Sequence, residues 1–447
     1  MDPYLPSKET ILNPPIKFRD RLKHLGPSLI LSAAIVGSGE LIATTTLGAK
    51  AGFTTFWLIL LGCLIKVMAQ VAFGKHTIMT GETAMQAFNS LPGPNGKRGN
   101  WAVWSVTIMM LLKLLQLGGI IGGVAIILNL ALPIISIPLW AFIVAVFVGF
   151  LVYRGYYKFI ERVSIFMIGF FTIFTFTALY FLKFTPHALE WGDILSGLQF
   201  QLPKASLAFA FGAFGITGVG GDEIIHYNYW CLEKGYAAYV GPKDNSVAWE
   251  SRVKGWVKVM HLDAVIALVI YTCVTAAFYL LGAAMLHSQG TIPEGFGMIE
   301  TISTIYTDAL GPKAKIFFLV GSFIVLFSTL FAALAAWTRQ FADIFGQMGL
   351  LDFFDQKIRQ KTIKILAFTF PLIWATLFVF IKLPVIMVMI GGIVGSLILL
   401  LVVIAVLYFR YRRTSIAFRP SNLYDIALWI STISIIGVGI YGLIKLF

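Results

Sequence analysis

Long apolar runs separated by short polar segments dominate this sequence. Each run extends over about 20 residues, which is enough for a helix to cross roughly 30 Å of hydrocarbon. The runs are continuous and show no two-residue alternation, so the pattern favours membrane-spanning helices over a β-barrel. The sequence therefore predicts an all-α polytopic membrane protein with about eleven transmembrane helices. These lie near residues 26–48, 54–75, 101–130, 134–153, 160–184, 203–231, 261–286, 314–338, 364–382, 384–408 and 424–446.

The composition agrees with this prediction, and the distribution of basic residues indicates how the chain is oriented in the membrane. Of the 447 residues, 58% are hydrophobic and 12% are charged, whereas about a quarter of a soluble domain is charged. If the spans alternate and the N-terminus is cytoplasmic, 25 of the 34 Lys and Arg residues lie inside and seven outside, while Lys66 and Lys113 fall within apolar runs. Basic residues are retained in cytoplasmic loops. We therefore expect a cytoplasmic N-terminus, an external C-terminus and a plasma (inner) membrane location.

The net charge of +13 needs no nucleic-acid partner, because the basic residues mark one side of the membrane. A basic surface also suits contact with anionic lipid, so the bilayer is the expected large partner. The sequence leaves the oligomeric state open. Cys63, Cys231 and Cys273 are far apart and have no zinc-site spacing, which argues against a disulfide framework or a zinc module.

Enzymatic and ATP-driven functions have no support in the sequence. The longest polar stretches, 231–260 and 339–363, are too short for a catalytic or nucleotide-binding domain. There is no GxxxxGK[ST] loop and no recognisable nucleophile and base, and no cofactor is expected. The remaining function classes are a gradient-driven carrier of a small ion or solute, a channel and a structural membrane protein.

A glycine-rich motif with an acid occurs twice in the sequence, five spans apart. Residues 36–42 read VGSGELI in the first span, and residues 219–225 read VGGDEII in the sixth. Because five spans separate the copies, they enter the bilayer from opposite sides. This is the pattern of an inverted repeat, in which paired broken helices form a binding site near the midplane.

The two motifs predict helix breaks and an acidic site. Glycine tolerates non-helical dihedrals, and a break frees backbone carbonyls on one side and N–H groups on the other. The alternative is that the glycines only permit close helix packing and each glutamate caps a helix. Two copies that each carry a costly intramembrane acid favour a substrate or ion site. The candidate residues are Gly37, Ser38, Gly39, Glu40, Gly220, Gly221, Asp222 and Glu223.

Glu40, Asp222 and Glu223 cannot all stay ionised without compensation by a cation, by protonation or by Lys113. Carboxylates and freed carbonyls are hard oxygen ligands that suit Mg²⁺, Ca²⁺ or Mn²⁺, and neither break contains Met or Cys. These three acids are therefore the candidate metal ligands, with a divalent metal cation as the substrate.

Other polar residues within the spans are candidates for charge compensation or proton coupling. Lys113 and Gln116 share a face of the third span, and Lys113 is a candidate partner for one of the acids. The glycines that follow Gln116 are interpreted as a packing surface. His226 follows Glu223 by one turn and suits either a proton relay or a structural role. Three further residues are expected to be solvated caps at the cytoplasmic membrane edge: Glu161, His261 and Asp263.

Several segments resemble the NRAMP family of divalent-metal transporters, and the resemblance extends over most of the chain. It rests on five segments in their order and spacing: Gly26-Pro27-Ser28, the stretch 52–81, Glu161 after an Arg-Gly loop, the stretch 262–268, and Arg339-Gln340-Phe341. The resemblance implies a LeuT-type fold of two inverted five-helix repeats in which helices 1 and 6 are broken. It also implies a plasma-membrane secondary transporter.

The departures from the family pattern lie in the site itself. The family has Asp-Pro-Gly-Asn in the first break, where this chain has residues 37–40, so the Asp ligand is missing and Glu40 replaces the Asn. The family's Met-Pro-His motif aligns approximately with Gly220-Gly221-Asp222, so the thioether is absent. The acids of the family's third helix have no equivalent, and Lys113 and Gln116 occupy that region.

These observations give an expected organisation and a leading hypothesis. We expect a cytoplasmic segment 1–25, a first repeat 26–184, a second repeat 201–408 and an additional helix 424–446. The leading hypothesis is an NRAMP-related secondary-active transporter that moves a hard divalent cation, of the Mg²⁺ or Mn²⁺ class, by alternating access. Whether protons are coupled stays open. One alternative is a proton- or cation-coupled symporter of amino acids or other organic solutes, whose carboxylate would bind the N–H groups of residues 37–39. Another is a metal sensor or scaffold that has lost transport.

Overall fold

The chain folds into a bundle of long helices. The computed structural model describes residues 2–37, 39–294 and 297–446. The helices of the first half are α1 (Phe18–Leu22), α2 (Pro27–Ile35), α3 (Thr45–Ala51), α4 (Phe56–Thr80), α5 (Ala84–Asn89), α6 (Trp101–Leu112), α7 (Leu114–Ala131), α8 (Ile137–Val152), α9 (Tyr157–Leu182) and α10 (Trp191–Ser196). The helices of the second half are α11 (Leu207–Ile216), α12 (Gly221–Lys234), α13 (Tyr236–Val240), α14 (Val247–Leu281), α15 (Met298–Leu310), α16 (Ala314–Gln347), α17 (Gln356–Ile381), α18 (Pro384–Tyr408) and α19 (Asn422–Leu446).

Shorter elements complete the described chain. Two strands, β1 (Asn95–Gly96) and β2 (Gly99–Asn100), form an antiparallel pair. Single turns of 3-10 helix lie at Lys8–Thr10, Lys204–Ser206 and Ile416–Phe418, and π-helical turns lie at Gly39–Thr44, Gly282–His287 and Phe409–Arg413.

Ten helical segments within the described residues are long and apolar enough to cross a membrane. The predicted fourth span, α8, is an apolar helix of 16 residues, which corresponds to about 24 Å at roughly 1.5 Å per residue. With α8 included, the segments correspond to the eleven predicted spans. The seventh span differs most from its prediction, because α14 and the π turn after it form one segment of 41 residues, Val247–His287.

Both predicted helix breaks are present. In the first span, α2 ends at Ile35, the residues that follow form a turn, and the π turn Gly39–Thr44 leads into α3. In the sixth span, α11 ends at Ile216 and α12 begins at Gly221. Gly218 lies between them with φ of 62°, where a Cβ would also lie only 2.9 Å from the Cα of Cys63. Only glycine meets both conditions at this point.

The broken helices lie at the centre of the bundle. The long helix α4 packs against α12 and α14, while α18 packs against α11 and α7, and α16 packs against α2, α7 and α9. The expected packing surface on α7 is present: a Cβ on Gly118 would lie 3.2 Å from the carbonyl oxygen of Trp374, and one on Gly119 would lie 2.6 Å from that of Pro384. The helix backbones approach closely where side chains are small.

Candidate ion site between the two helix breaks

The two breaks meet in the interior of the bundle. The π turn Gly39–Thr44 packs against α11, and a Cβ on Gly39 would lie 3.0 Å from the carbonyl oxygen of Ile216. Ser38, one of the predicted site residues, lies outside the described residues. The described residues of both breaks are buried.

Glu40 supplies a buried carboxylate to the first break. Its side chain is fully buried, Oε2 accepts the backbone N–H of Gly37 at 3.0 Å, and Oε1 accepts the hydroxyl of Thr275 at 2.8 Å. These bonds hold the carboxylate at the start of the second half of the broken helix. The positive end of the helix dipole favours an anion there.

Asp222 and Lys113 form a buried ion pair across the second break. The Lys113 ammonium donates to Oδ1 of Asp222, and both side chains are buried. Lys113 lies between α6 and α7, where the third span is interrupted, so the pair links that span to the start of α12. One of the three acids therefore has a positive partner within the protein.

Glu223 has a carboxylate oxygen that is available to bind a cation or a proton. It lies in the first turn of α12, and its Oε2 is buried without a hydrogen-bond partner among the described residues. Gly220, which caps this helix, lies against the same carboxylate, since a Cβ on Gly220 would collide with it. An unpaired buried carboxylate oxygen is costly, and a cation or a proton would compensate it.

Lys66 is a second positive charge in the site, and the sequence analysis assigned it no role. Its side chain is fully buried on α4, and its ammonium donates to the carbonyl oxygens of Phe214, at 2.6 Å, and Thr217. It also interacts electrostatically with Glu40 and Glu223. A lysine in the middle of an apolar run was a signal that could have identified it.

The three predicted metal ligands are not gathered into one cluster in this structure. Among the described residues, no group of three His, Cys, Asp or Glu side chains is placed to hold a metal ion. Asp222 binds Lys113, and Glu40 binds Gly37 and Thr275. A metal would have to compete with these contacts.

His226 and Gln116 also line the interior near the breaks. Nε2 of His226 lies 2.8 Å from Oε1 of Gln340 on α16, and both side chains are buried. Oε1 of Gln116 is buried without a hydrogen-bond partner among the described residues, and Gln116 lies against Gly391 of α18. His226 thus has a structural contact, and Gln116 has an unused acceptor.

Asp263 is a buried cap, in contrast to the solvated edge position that we expected for it. Its side chain is fully buried, and its two carboxylate oxygens accept the backbone N–H groups of Gly26 at 2.8 Å and Ser28 at 2.7 Å. The expectation failed because α14 begins at Val247, so Asp263 lies well inside a helix. It satisfies two donors at the start of α2.

The chain matches the sequence model of one family over most of its length. The family is described as Natural resistance-associated macrophage protein-like, Nramp, and the match extends over residues 28–445. The chain belongs to the Nramp family. Members of this family are transporters and not enzymes, which agrees with the absence of catalytic motifs from the sequence.

Individual relatives are distant. The chain is 27% identical over 110 residues to the divalent metal cation transporter MntH of Mycobacterium tuberculosis, a match that covers 25% of this chain and 26% of MntH. It is 23% identical over 323 residues to an uncharacterized protein of Pasteurella multocida, which covers 70% of this chain and 69% of that protein.

Solved structures confirm the LeuT-type fold. A manganese transporter mutant from Eremococcus coleocola is 16% identical, with a TM-score of 0.56 over 99% of both chains. MhsT in complex with L-phenylalanine is 13% identical, with a TM-score of 0.61 over 94% of this chain and 98% of MhsT. At these identities the likeness establishes the architecture of this Nramp protein and leaves its substrate open.

Proposed function

We propose that this Nramp protein is a secondary-active transporter that moves a hard divalent metal cation, of the Mg²⁺ or Mn²⁺ class, by alternating access. The observation that carries the proposal is that each helix break contributes buried carboxylates, from Glu40 and from Asp222 with Glu223, at the point where the breaks meet. Glu223 keeps an unpaired oxygen there. Family membership and the names of the relatives, a divalent metal cation transporter and a manganese transporter, support the same substrate class.

The charges of the site favour a cation as the substrate. With all groups ionised, Glu40, Asp222 and Glu223 carry three negative charges, and Lys66 and Lys113 carry two positive ones. One negative charge is left in a region of low dielectric, where an uncompensated charge is costly. The available ligands are carboxylate and carbonyl oxygens, which suit Mg²⁺ and Mn²⁺.

Cys63 is a soft ligand that lies beside the second break. Its Sγ would lie 3.1 Å from a Cβ on Gly218, and the thiol is fully buried. Because a hard cation is bound by oxygen, we expect Cys63→Ser to retain Mg²⁺ and Mn²⁺ transport. Loss of transport in this variant would indicate a thiolate ligand and a softer substrate.

Flux measurements in proteoliposomes test the proposal directly. Purified protein is reconstituted, and uptake of Mg²⁺ and Mn²⁺ is followed with entrapped indicators. Glu40→Gln and Glu223→Gln should each reduce the initial rate by tenfold or more, because each removes an anionic oxygen from the site. Glu9→Gln, an exposed residue of the N-terminal segment, is the matched control and should transport like the wild type. Wild-type flux in both site variants would contradict the proposal.

The organic-solute alternative has less support from the geometry. It requires the N–H groups of the first break to be free for a substrate carboxylate, but the N–H of Gly37 already donates to Glu40. A panel of amino acids and amines, tested for binding without metal, separates the two functions. Binding of one of these solutes together with no response to divalent cations would favour the alternative.

We also propose the predicted orientation and repeat boundaries for this protein. The basic residues support a cytoplasmic N-terminus and an external C-terminus in the plasma membrane. The repeats 26–184 and 201–408 contain one broken helix each, with α2 ending at Ile35 and α11 ending at Ile216. Protease accessibility of tags at the two ends, in intact cells and in inverted vesicles, tests the orientation.

A further inference from the structure

The carbonyl groups at the second break are bound by a side chain that carries a full positive charge. The last backbone N–H bond of α11 runs from Thr217 to Ala213, so the carbonyls of residues 214–217 have no partner within the helix. Lys66 donates to two of these four, those of Phe214 and Thr217. The C-terminal end of a helix carries a partial negative charge, so it is a favourable place for a cation.

At the first break, a neutral group binds a freed carbonyl. There α2 ends at Ile35, and the carbonyl of Ala34 accepts the hydroxyl of Thr329 at 2.9 Å. A hydroxyl satisfies the carbonyl and brings no charge. The two breaks therefore differ in what binds their freed carbonyls, and among the described residues only the second has an ammonium at this position.

The Lys66 ammonium lies at a place near the second break where a bound cation would be favourable. It is fully buried, binds two freed carbonyls and lies over the ring of Phe214 at 4.7 Å from the centroid. The charges of Glu40 and Glu223 also attract it, without a direct ion pair among the described residues. Backbone carbonyl oxygens around one positive centre, with carboxylates that add negative charge, also suit a metal ion in an oxygen site. The lysine supplies this charge from within the chain.

We propose that the Lys66 ammonium is a built-in cation that occupies the ion position at the second break, and that the transported divalent cation binds by displacing it. The identity of the displacing ion rests on the proposed function. With Lys66 withdrawn, Glu40, Asp222 and Glu223 carry three negative charges, and Lys113 with one divalent cation balances them. With Lys66 in place the same ion leaves one excess positive charge. The long flexible stem of lysine permits the withdrawal.

The inference predicts that neutralising Lys66 creates an open cation site. In Lys66→Met the freed carbonyls of Phe214 and Thr217 lose their partner and the adjacent acids lose a positive charge. Na⁺ should then stabilise the variant, raising its melting temperature by roughly 3–5 °C over N-methylglucamine chloride of equal ionic strength. The wild type should show no difference between the two salts. Affinity for Mg²⁺ and Mn²⁺ should rise about tenfold or more, because the internal competitor is gone.

Three further variants make the result specific. Lys66→Arg keeps the charge and should behave as the wild type towards Na⁺. Lys66→Gln is a second neutral variant and should respond to Na⁺ as Lys66→Met does. It provides the test if the methionine variant folds poorly. Lys75→Met is the matched control, because Lys75 lies on the same helix and donates to the carbonyl of Phe418 at 2.6 Å, away from the breaks. It should gain no response to Na⁺.

Comparing the response to Na⁺ with the response to divalent cations separates this inference from the proposed function. A folded neutral variant that responds to neither Na⁺ nor divalent cations overturns the role of Lys66, and so does an equal Na⁺ response in the wild type. If the neutral variants respond to Na⁺ but neither the wild type nor any variant binds divalent cations, the result supports the role of Lys66 and contradicts divalent transport.

Discussion

Single charged side chains in this protein bind groups from distant parts of the chain. Glu82, just after α4, is an example outside the membrane-spanning segments. Its carboxylate accepts bonds from the Arg413 guanidinium at 2.6 and 2.7 Å, and Nε2 of His76 lies 3.1 Å away. Burial raises the pKa of Glu82, but the hydrogen bonds with His76 and Arg413 outweigh it and lower the pKa to about 2. This residue therefore joins the end of α4 to the end of the tenth span.

The pKa of Glu82 predicts a loss of stability in acid. A carboxyl group whose pKa is lower in the folded than in the unfolded state stabilises the fold above about pH 4.5, and this contribution is lost as the pH falls towards 2. We expect Glu82→Gln to remove about 1–3 kcal/mol at neutral pH. Melting curves between pH 7 and pH 3 should converge for wild type and variant.

A surface glutamate provides the control for this prediction. Glu250 lies 3.8 Å from Lys254 in a solvated i,i+4 pair, and such pairs contribute little. Glu250→Gln should therefore follow the wild-type curve at every pH. A constant difference between wild type and Glu82→Gln over the whole range would argue against the linkage.

At the scale of elements, the position of α2 depends on a neighbouring helix. The N–H groups of Gly26 and Ser28 donate to Asp263 of α14, and Lys234 donates to the carbonyl of Leu25 at 2.8 Å and to Glu161 at 2.6 Å. Helix starts leave backbone N–H groups without partners, and buried ones are costly. The first broken helix is therefore fixed at its start by the second half of the chain.

Removing the Asp263 carboxylate should loosen this helix. Asp263→Ala leaves two buried N–H groups without an acceptor, which costs about 1–3 kcal/mol. We expect a melting temperature several degrees lower and a reduced transport rate. Asp263→Asn keeps one acceptor oxygen and should lie between the alanine variant and the wild type. Equal stability of all three proteins would show that water replaces the carboxylate.

The sequence predicted the elements better than the contacts between them. The eleven spans and the two breaks depend on local signals, namely apolar run length and paired glycines with an acid, and both are present in the structure. The contacts of Lys66 with Phe214 and of Asp263 with Gly26 join residues far apart in the chain. They depend on which helices become neighbours, and a single sequence contains little information on this.

At the scale of the whole molecule, the N-terminal segment ties several helices together on the face that we predict to be cytoplasmic. The hydroxyl of Tyr4 donates to Glu233 of α12 at 2.8 Å, and the Arg339 guanidinium of α16 binds the same carboxylate at 2.7 and 3.0 Å. Arg359 of α17 donates to Asp2 at 2.6 Å. The alternating access that we propose would open this face, and these contacts would then stabilise the closed state.

Loosening the N-terminal segment should shift the protein towards a state open on this face. We expect Asp2→Asn combined with Tyr4→Phe to favour opening by roughly a hundredfold, because the two substitutions weaken two hydrogen bonds to charged groups and each such bond contributes roughly 1.5–3 kcal/mol. Cys231 on α12 is fully buried, so maleimide labelling of Cys231 reports the opening in a background that lacks the other two cysteines. Tyr441→Phe on α19 is the matched control. Equal labelling rates in the double variant and the control would mean that the N-terminal segment does not hold this face closed.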